Sequence, residues 1–314
     1  MIRLLADSTC DLTDEIIEKY NIGLAPLTIN IESKTYKDRV DISSDEFFSM
    51  LENLENHPST SMPSPAEFIK LFKQSVNNGY KEILVICMSS GTSGSYQSAV
   101  IAKNQFLEEN QKNIKIKVID SKSMSHGSGY LILKTAKLLE KGASFEQLVL
   151  FNELYKKNIK HFLAVADLDH LIRSGRLTNT SAFFGKLFRL KPIMTMKNAK
   201  GSIVAKERGI KRVLKYYIKE YKKRVDEDAN DFVIIGYSSD KMIANNLKKL
   251  FLKETNFKGE VYIMQMGVSV GTHVGLGGIS MFFIEKDHLK SSLLRSQLNK
   301  IKEKKDKLKE NLNF

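Results

Sequence analysis

The chain has 314 residues, 42% apolar and 27% charged, the proportions of a folded globular protein and not of a disordered or fibrous one. Its 49 Lys and Arg against 36 Asp and Glu leave a formal net charge of +13. That surface favours anionic partners without choosing among nucleic acid, acidic proteins, phosphorylated ligands and membrane. No uncharged apolar window approaches the roughly 18 residues of a membrane span, and the first apolar run meets Asp7 too soon for a signal peptide. Cys10 and Cys87 form no CxxC motif, so both are expected to be buried packing thiols of a reducing cytoplasm.

Taken in order, the first half alternates strand-like and helix-like segments. Ile2–Leu5 reads as a strand ending at Asp7, Thr13–Tyr20 as a helix and Pro26–Ile31 as extended chain. Ser44–Leu54 and Pro65–Asn77 are helical. Ile83–Met88 is an unbroken apolar run, as in a strand buried on both faces. Ser95–Glu109 is helical, Ile116–Ile119 is another buried strand, and Ser125–Lys141 and Phe145–Lys157 are helices. This alternation predicts an α/β fold with a mainly parallel sheet and flanking helices over residues 1–160.

A second α/β domain is expected over 161–287. His161–Ala166 reads as a strand and Leu168–Leu177 as a short helix and turn. Lys191–Met196 and Ile203–Lys206 flank Asn198-Ala199-Lys200-Gly201, a hairpin signal. Ile210–Arg224 is a basic helix, and Phe232–Gly236, Met242–Leu252, Val261–Met266 and Ile279–Ile284 continue the alternation. Residues 288–314 hold eight Lys and Arg and three Asp and Glu; with Leu294, Leu298, Ile301, Leu308 and Leu312 they predict a basic amphipathic helical tail.

In an open parallel sheet, ligands bind beyond the carboxyl ends of the strands. Three such ends carry hydroxyls and glycines: Asp7–Asp11, Ser89–Ser98 and Asp120–Gly129. A fourth cluster, Thr60–Pro65, reads as the approach to a helix, with Ser64 as N-cap, Pro65 in the first turn and Glu67 completing a capping box. Thr60, Ser61 and Ser93 would then stand at two helix N-termini, where free N–H groups and partial positive charge favour an anion. Gly267–Gly277 reads as a glycine-rich loop carrying Thr272 and His273. In Leu168–Leu177, Arg173 and Arg176 could grip an anion or a partner's carboxylate.

Together and in order, these segments resemble the DegV family, whose members include the fatty-acid-binding subunits of bacterial fatty acid kinase. The resemblance covers roughly residues 1–285. It rests on Asp7-Ser8-Thr9, on Thr60–Ser64, and on Ser89–Ala99 with Ser95 in place of the usual Thr. It rests also on Leu168–Arg176 with Arg173 and Ser174 substituted, on Lys191-Pro192-Ile193, and on Gly271–Gly277 with Leu276 where Pro is usual.

The resemblance implies a long-chain fatty acid buried between two α/β domains. Its carboxylate would be held by Thr60, Ser61 and Ser93, with His273 nearby and Gly94, Ser95, Thr272 and Ser121 around them. An acyl chain of palmitate size, about 14 methylenes at ~0.8 kcal/mol each, would gain on the order of 11 kcal/mol gross on burial. The family's kinase system further implies an ATP-using partner subunit that phosphorylates the bound carboxylate. Arg173 and Arg176 would serve docking, and the basic surface would meet that partner or an acidic membrane.

No cofactor, metal or nucleic acid is expected: no cysteine or histidine–carboxylate cluster has ligand spacing, no GxxxxGK[ST] occurs, and the basic segments lack interleaved aromatics. The alternative is a serine hydrolase acting on acyl esters through Ser93 and His273, although Gly91–Ser95 is not a G-x-S-x-G elbow.

Overall fold

A computed structural model describes residues 1–109, 113–166, 168–178 and 190–286. The expected tail helix, 288–314, lies outside the described residues. The alternation of the first half closes into a four-stranded parallel sheet. Its order is Gly23–Ala25, Ile2–Asp7, Glu82–Cys87, Lys115–Asp120. Successive side chains of a strand point to opposite faces, and both faces here are covered. Ile83, Val85 and Cys87 pack with Phe68, Phe72 and Phe106 of the helices Pro65–Asn77 and Ser95–Glu109. Leu84 and Ile86 face the opposite way, toward Tyr130, Leu131 and Leu148 of His126–Glu140 and Phe145–Tyr155.

The second half builds a seven-stranded mixed sheet. Phe232–Tyr237 lies parallel to Glu260–Gln265 and antiparallel to Ile279–Ile284, which lies antiparallel to Ile159–Ala164. The hairpin Leu190–Lys197/Lys200–Arg208 extends it. The hairpin turn is tighter than the sequence suggests: Asn198 and Ala199 alone make it, both at positive φ (52° and 63°), as a two-residue primed turn demands.

The helix His126–Glu140 lies between the two sheets. It touches strands of both, and ten of its 15 residues are buried, so its face toward the second sheet is as apolar as its face toward the first. Its one large hydroxyl is satisfied, Tyr130 Oη donating to Asn230 Oδ1 (3.0 Å) and to the Phe232 carbonyl (2.9 Å). The chain passes from one sheet to the other near residue 160, yet this core draws Leu84 and Ile119 from one side and Phe232 and Phe282 from the other.

A third sheet is small and antiparallel: Thr28–Ile31 pairs with Lys34–Lys37 and with Ser59–Ser61. With the helix Ser44–Met50 it packs Ile29, Phe47 and Phe48 onto Leu163, Leu171, Val268 and Val274 of the second half. This excursion from the first half therefore roofs the junction between the sheets.

Three local expectations change. Thr60 and Ser61 lie in a strand, not in the last turn before a helix. The helix at Pro65 starts as expected but without a side-chain cap: Glu67 is drawn to Lys37 (2.8 Å) and leaves the capping box unmade. Gly267–Gly277 is not a loop but contains the helix Val268–Val274, which Gly275 ends at φ +72°. Helix propensity argues against that element, since Gly271 lies inside it. Packing requires the glycine: a Cβ there would stand 2.5 Å from Phe48 Cζ.

Candidate functional site

The small sheet, the carboxyl ends of the parallel strands and the helix Val268–Val274 enclose a cavity of about 190 Å³. Each parallel strand in its floor contributes from its carboxyl end: Thr9 after the first, Met88, Thr92, Ser93 and Gly94 after the third, Met124 after the fourth. Thr60 enters from the small sheet, Ser269 and His273 from the helix, and Arg176 from the segment after Asp169–Arg173. The rest of the wall is apolar, supplied by Leu27, Met62, Leu171, Val270 and Val274.

At one place the polar groups pair. Thr60 Oγ1 and His273 Nε2 are 2.9 Å apart, and His273 Nδ1 is buried without a hydrogen-bond partner. Neutral imidazole carries one proton. If the Thr60 hydroxyl donates to Nε2, that proton is on Nδ1, which then has no acceptor. If Nε2–H donates to Thr60, the hydroxyl proton is free. Either tautomer leaves one donor over. Burial holds His273 neutral by pushing its pKa down to about 4, with Arg176, His170 and His57 adding to the effect. His170 Nδ1 lies 3.2 Å from the Thr272 carbonyl, and its ring meets that of His57 edge-on at 4.2 Å, so two further segments support the end of the helix that carries His273.

The Ser93 hydroxyl accepts from the Ser95 amide (3.2 Å) and shares a 2.9 Å bond with the Ser95 hydroxyl. When Ser95 donates that bond, the Ser93 proton is free for a ligand. Gly94 lets a neighbouring segment come close, since a Cβ there would stand 2.1 Å from Met62 Sδ. The Arg176 guanidinium supplies positive charge, one of its N–H groups donating to the Ser174 carbonyl. Surplus donors and one cation in a largely apolar cavity suit an anion joined to an apolar body.

The other expected residues lie elsewhere. Ser61 alternates with Thr60 and is exposed. Ser95 is buried behind Ser93. The Thr272 hydroxyl donates back to the Val268 carbonyl (2.9 Å), and Ser121 closes a turn with Ser123. The two arginines part company: Arg176 lines the cavity, and Arg173 is exposed on its short helix. The hydrolase alternative finds no support, because His273 Nε2 is engaged by Thr60 and Ser93 by Ser95, so no serine–histidine pair forms between them.

Sequence reading missed what stands behind the polar wall. Asp7 accepts from Thr9 Oγ1 and from the Met88 amide (2.9 Å). Asp38 accepts from Ser8 Oγ (2.7 Å), and Asp11 from Ser125 Oγ (2.5 Å). All three carboxyls are buried, and burial pushes each upward, Asp11 to about 8. The Arg39 guanidinium eases Asp38 and Asp11 and also bonds Asp14 and the Leu12 carbonyl. The Asp7–Asp11 run was a visible signal; Asp38 and Arg39 carried none. Among the described residues no group of three or more His, Cys, Asp or Glu could hold a metal ion, and no helix is long and apolar enough to cross a membrane.

Comparison with known proteins agrees with the architecture. The family model described as "Uncharacterised protein, DegV family COG1307" matches residues 1–286. A DegV domain-containing protein of Caldanaerobacter subterraneus subsp. tengcongensis is 33% identical over 287 residues, 91% of this chain and 99% of that protein. One from Staphylococcus aureus strain COL is 32% identical over 283 residues, 90% of this chain and 98% of its own. Among solved structures, a stearic acid-binding protein from Eubacterium ventriosum superposes with a TM-score of 0.83 at 28% identity, covering 91% of this chain and 99% of its own. A fatty-acid-binding DegV family protein from Thermus thermophilus gives 0.82 at 26% identity, with the same coverage. This chain belongs to the DegV family.

Proposed function

We propose that this protein binds a long-chain fatty acid, with the carboxylate at Thr60, Ser93, His273 and Arg176 and the acyl chain along the apolar wall. The observation that carries the reading is the Thr60–His273 pair, which keeps a donor to spare in either tautomer, inside a cavity whose other walls are chiefly Leu, Met and Val. The solved relatives that bind stearic and other fatty acids support it. A site of this kind needs no metal or cofactor to hold a carboxylate. Both cysteines are buried and free, which suits a protein working in a reducing cytoplasm.

The protein's role is to carry the acid and present its carboxyl end to an ATP-using kinase partner that forms the acyl phosphate. The one hydroxyl–imidazole pair there, Thr60 with His273, is assigned to holding the carboxylate, and the phosphoryl chemistry is assigned to the partner. Arg173, exposed beside Arg176, is the docking group for it. Equilibrium titration with palmitate tests the binding step; saturable, 1:1 binding is expected, and its absence refutes the reading. Hydroxamate trapping tests the second step: loaded protein and ATP give no acyl hydroxamate until the kinase is added, and hydroxamate formed without it refutes the division of labour.

A further inference from the structure

We propose that Asp38 is a positioning residue for the carboxylate site: it caps, from a distant segment, the short helix that presents His273, and ties that helix to the floor and the roof of the cavity. This rests on the fatty-acid reading above.

The helix Val268–Val274 has seven residues, and its N-cap, Gly267, has no side chain to cap it with. So short a helix is not held by its own hydrogen bonds, and its first amides need acceptors from elsewhere. Asp38, directly after the strand Lys34–Lys37, supplies one: the Ser269 amide and hydroxyl both bond to its carboxyl. An aspartate at an N-cap takes the amide two or three residues on. Here the carboxyl comes from about 230 residues earlier in the chain. A second buried carboxyl, Asp11, takes the Gly267 amide.

The Asp38 side chain reaches the other walls as well. Ser8 Oγ donates to Asp38 Oδ2 (2.7 Å) and accepts from the Leu27 amide (3.1 Å), and the Asp38 amide donates to the Leu27 carbonyl (2.9 Å). Leu27 lines the cavity, as does Thr9 next to Ser8. Asp38 is 1% exposed, so water does not compete for these bonds. Ser269 and His273 are four residues apart, one turn along the same face. A shift of the first turn therefore moves the His273 ring against Thr60, which it meets at 2.9 Å. Loss of the Asp38 carboxyl should cost the site its preference for a carboxylate more than its hold on the acyl chain.

The test is native mass spectrometry of the full chain with equimolar palmitate and hexadecan-1-ol, which share a chain and differ in the head group. The wild type is expected to favour palmitate. Asp38→Ala lowers that ratio about tenfold, and Asp38→Asn, which keeps an acceptor for the helix, restores most of it. Ser8→Ala, a milder loss at the same carboxyl, lowers it about threefold. Phe251→Leu, in the core on the far side of the second sheet, controls for general destabilisation and leaves the ratio unchanged. A second readout needs no ligand: the ring nitrogen signals of His273, assigned by their loss in His273→Ala, move in Asp38→Ala and stay in place in Phe251→Leu. An unchanged ratio in both Asp38→Ala and Ser8→Ala, or an equal fall in Phe251→Leu, overturns the positioning role and leaves fatty acid binding standing. A wild type that binds neither compound overturns the fatty-acid reading, and His273 signals that do not move in Asp38→Ala overturn the positioning role on their own.

Discussion

Replacing Asp11 by Asn should stabilise the protein, by an amount that depends on pH. Asp11 is buried under the helix Val268–Val274, its Oδ1 against Gly267 and its Oδ2 accepting from Ser125. Burial first, and the Asp38 charge after it, raise its pKa from 3.8 to about 8, against the opposing hydrogen bond from Ser125. A carboxyl whose folded pKa is raised binds its proton more tightly folded than unfolded. Its contribution is therefore fully present below pH 3.8 and is lost as pH rises through about 8. At about 1.4 kcal/mol per pH interval of one, the loss across that window is on the order of 5 kcal/mol. Asn keeps an acceptor for Ser125 and has no proton to lose. Urea unfolding of both proteins from pH 5 to 9 measures the difference, in which all other titrating groups cancel. The stability of Asp11→Asn relative to wild type should climb steadily to about pH 8 and level off. A difference that is flat with pH, or that falls, refutes the assignment of a buried, neutral Asp11.

Thr60→Val removes the hydroxyl facing His273 while keeping the shape, and should weaken palmitate binding by about 1–2 kcal/mol, some five- to thirtyfold. Ser61→Ala, on the exposed face of the same strand, should stay within about 0.5 kcal/mol of wild type in the same titration. Gly271→Ala drives a Cβ to 2.5 Å from Phe48 Cζ and should cost about 1–3 kcal/mol in urea unfolding, with weaker palmitate binding because His273 lies two residues on. Cys10 and Cys87 are buried with their thiols pushed up, Cys10 to about 12, so a thiol reagent should label them only at the rate of unfolding.

Much of the scaffold was legible because burial on both faces writes itself into a strand: Glu82–Cys87 is apolar from Ile83 onward, Ile279–Ile284 is interrupted only by Ser280, and their boundaries are met to within a residue. The rim was legible for the same reason, since Thr9, Ser93, Gly94 and Met124 follow strands whose ends could be placed. The helix Val268–Val274 was not, because its Gly271 answers to Phe47 and Phe48, about 220 residues earlier, and not to local propensity. A hydroxyl pair before a helix looks like one anion site, and so the sequence groups Thr60 with Ser61. Strand alternation divides them, and only the fold reveals the strand, since its partner Thr28–Ile31 is far away in sequence. Asp38 and Arg39 meet Ser269 and Asp11 only in three dimensions, in segments that are ordinary when read alone.

The most direct test of the central claim is native mass spectrometry of the protein as purified, followed by solvent extraction and identification of what it carries. One fatty acid per chain, displaced by added palmitate and bound less tightly when Thr60→Val or His273→Ala is introduced, is the predicted result. A chain that carries no lipid and does not take up added palmitate contradicts the account.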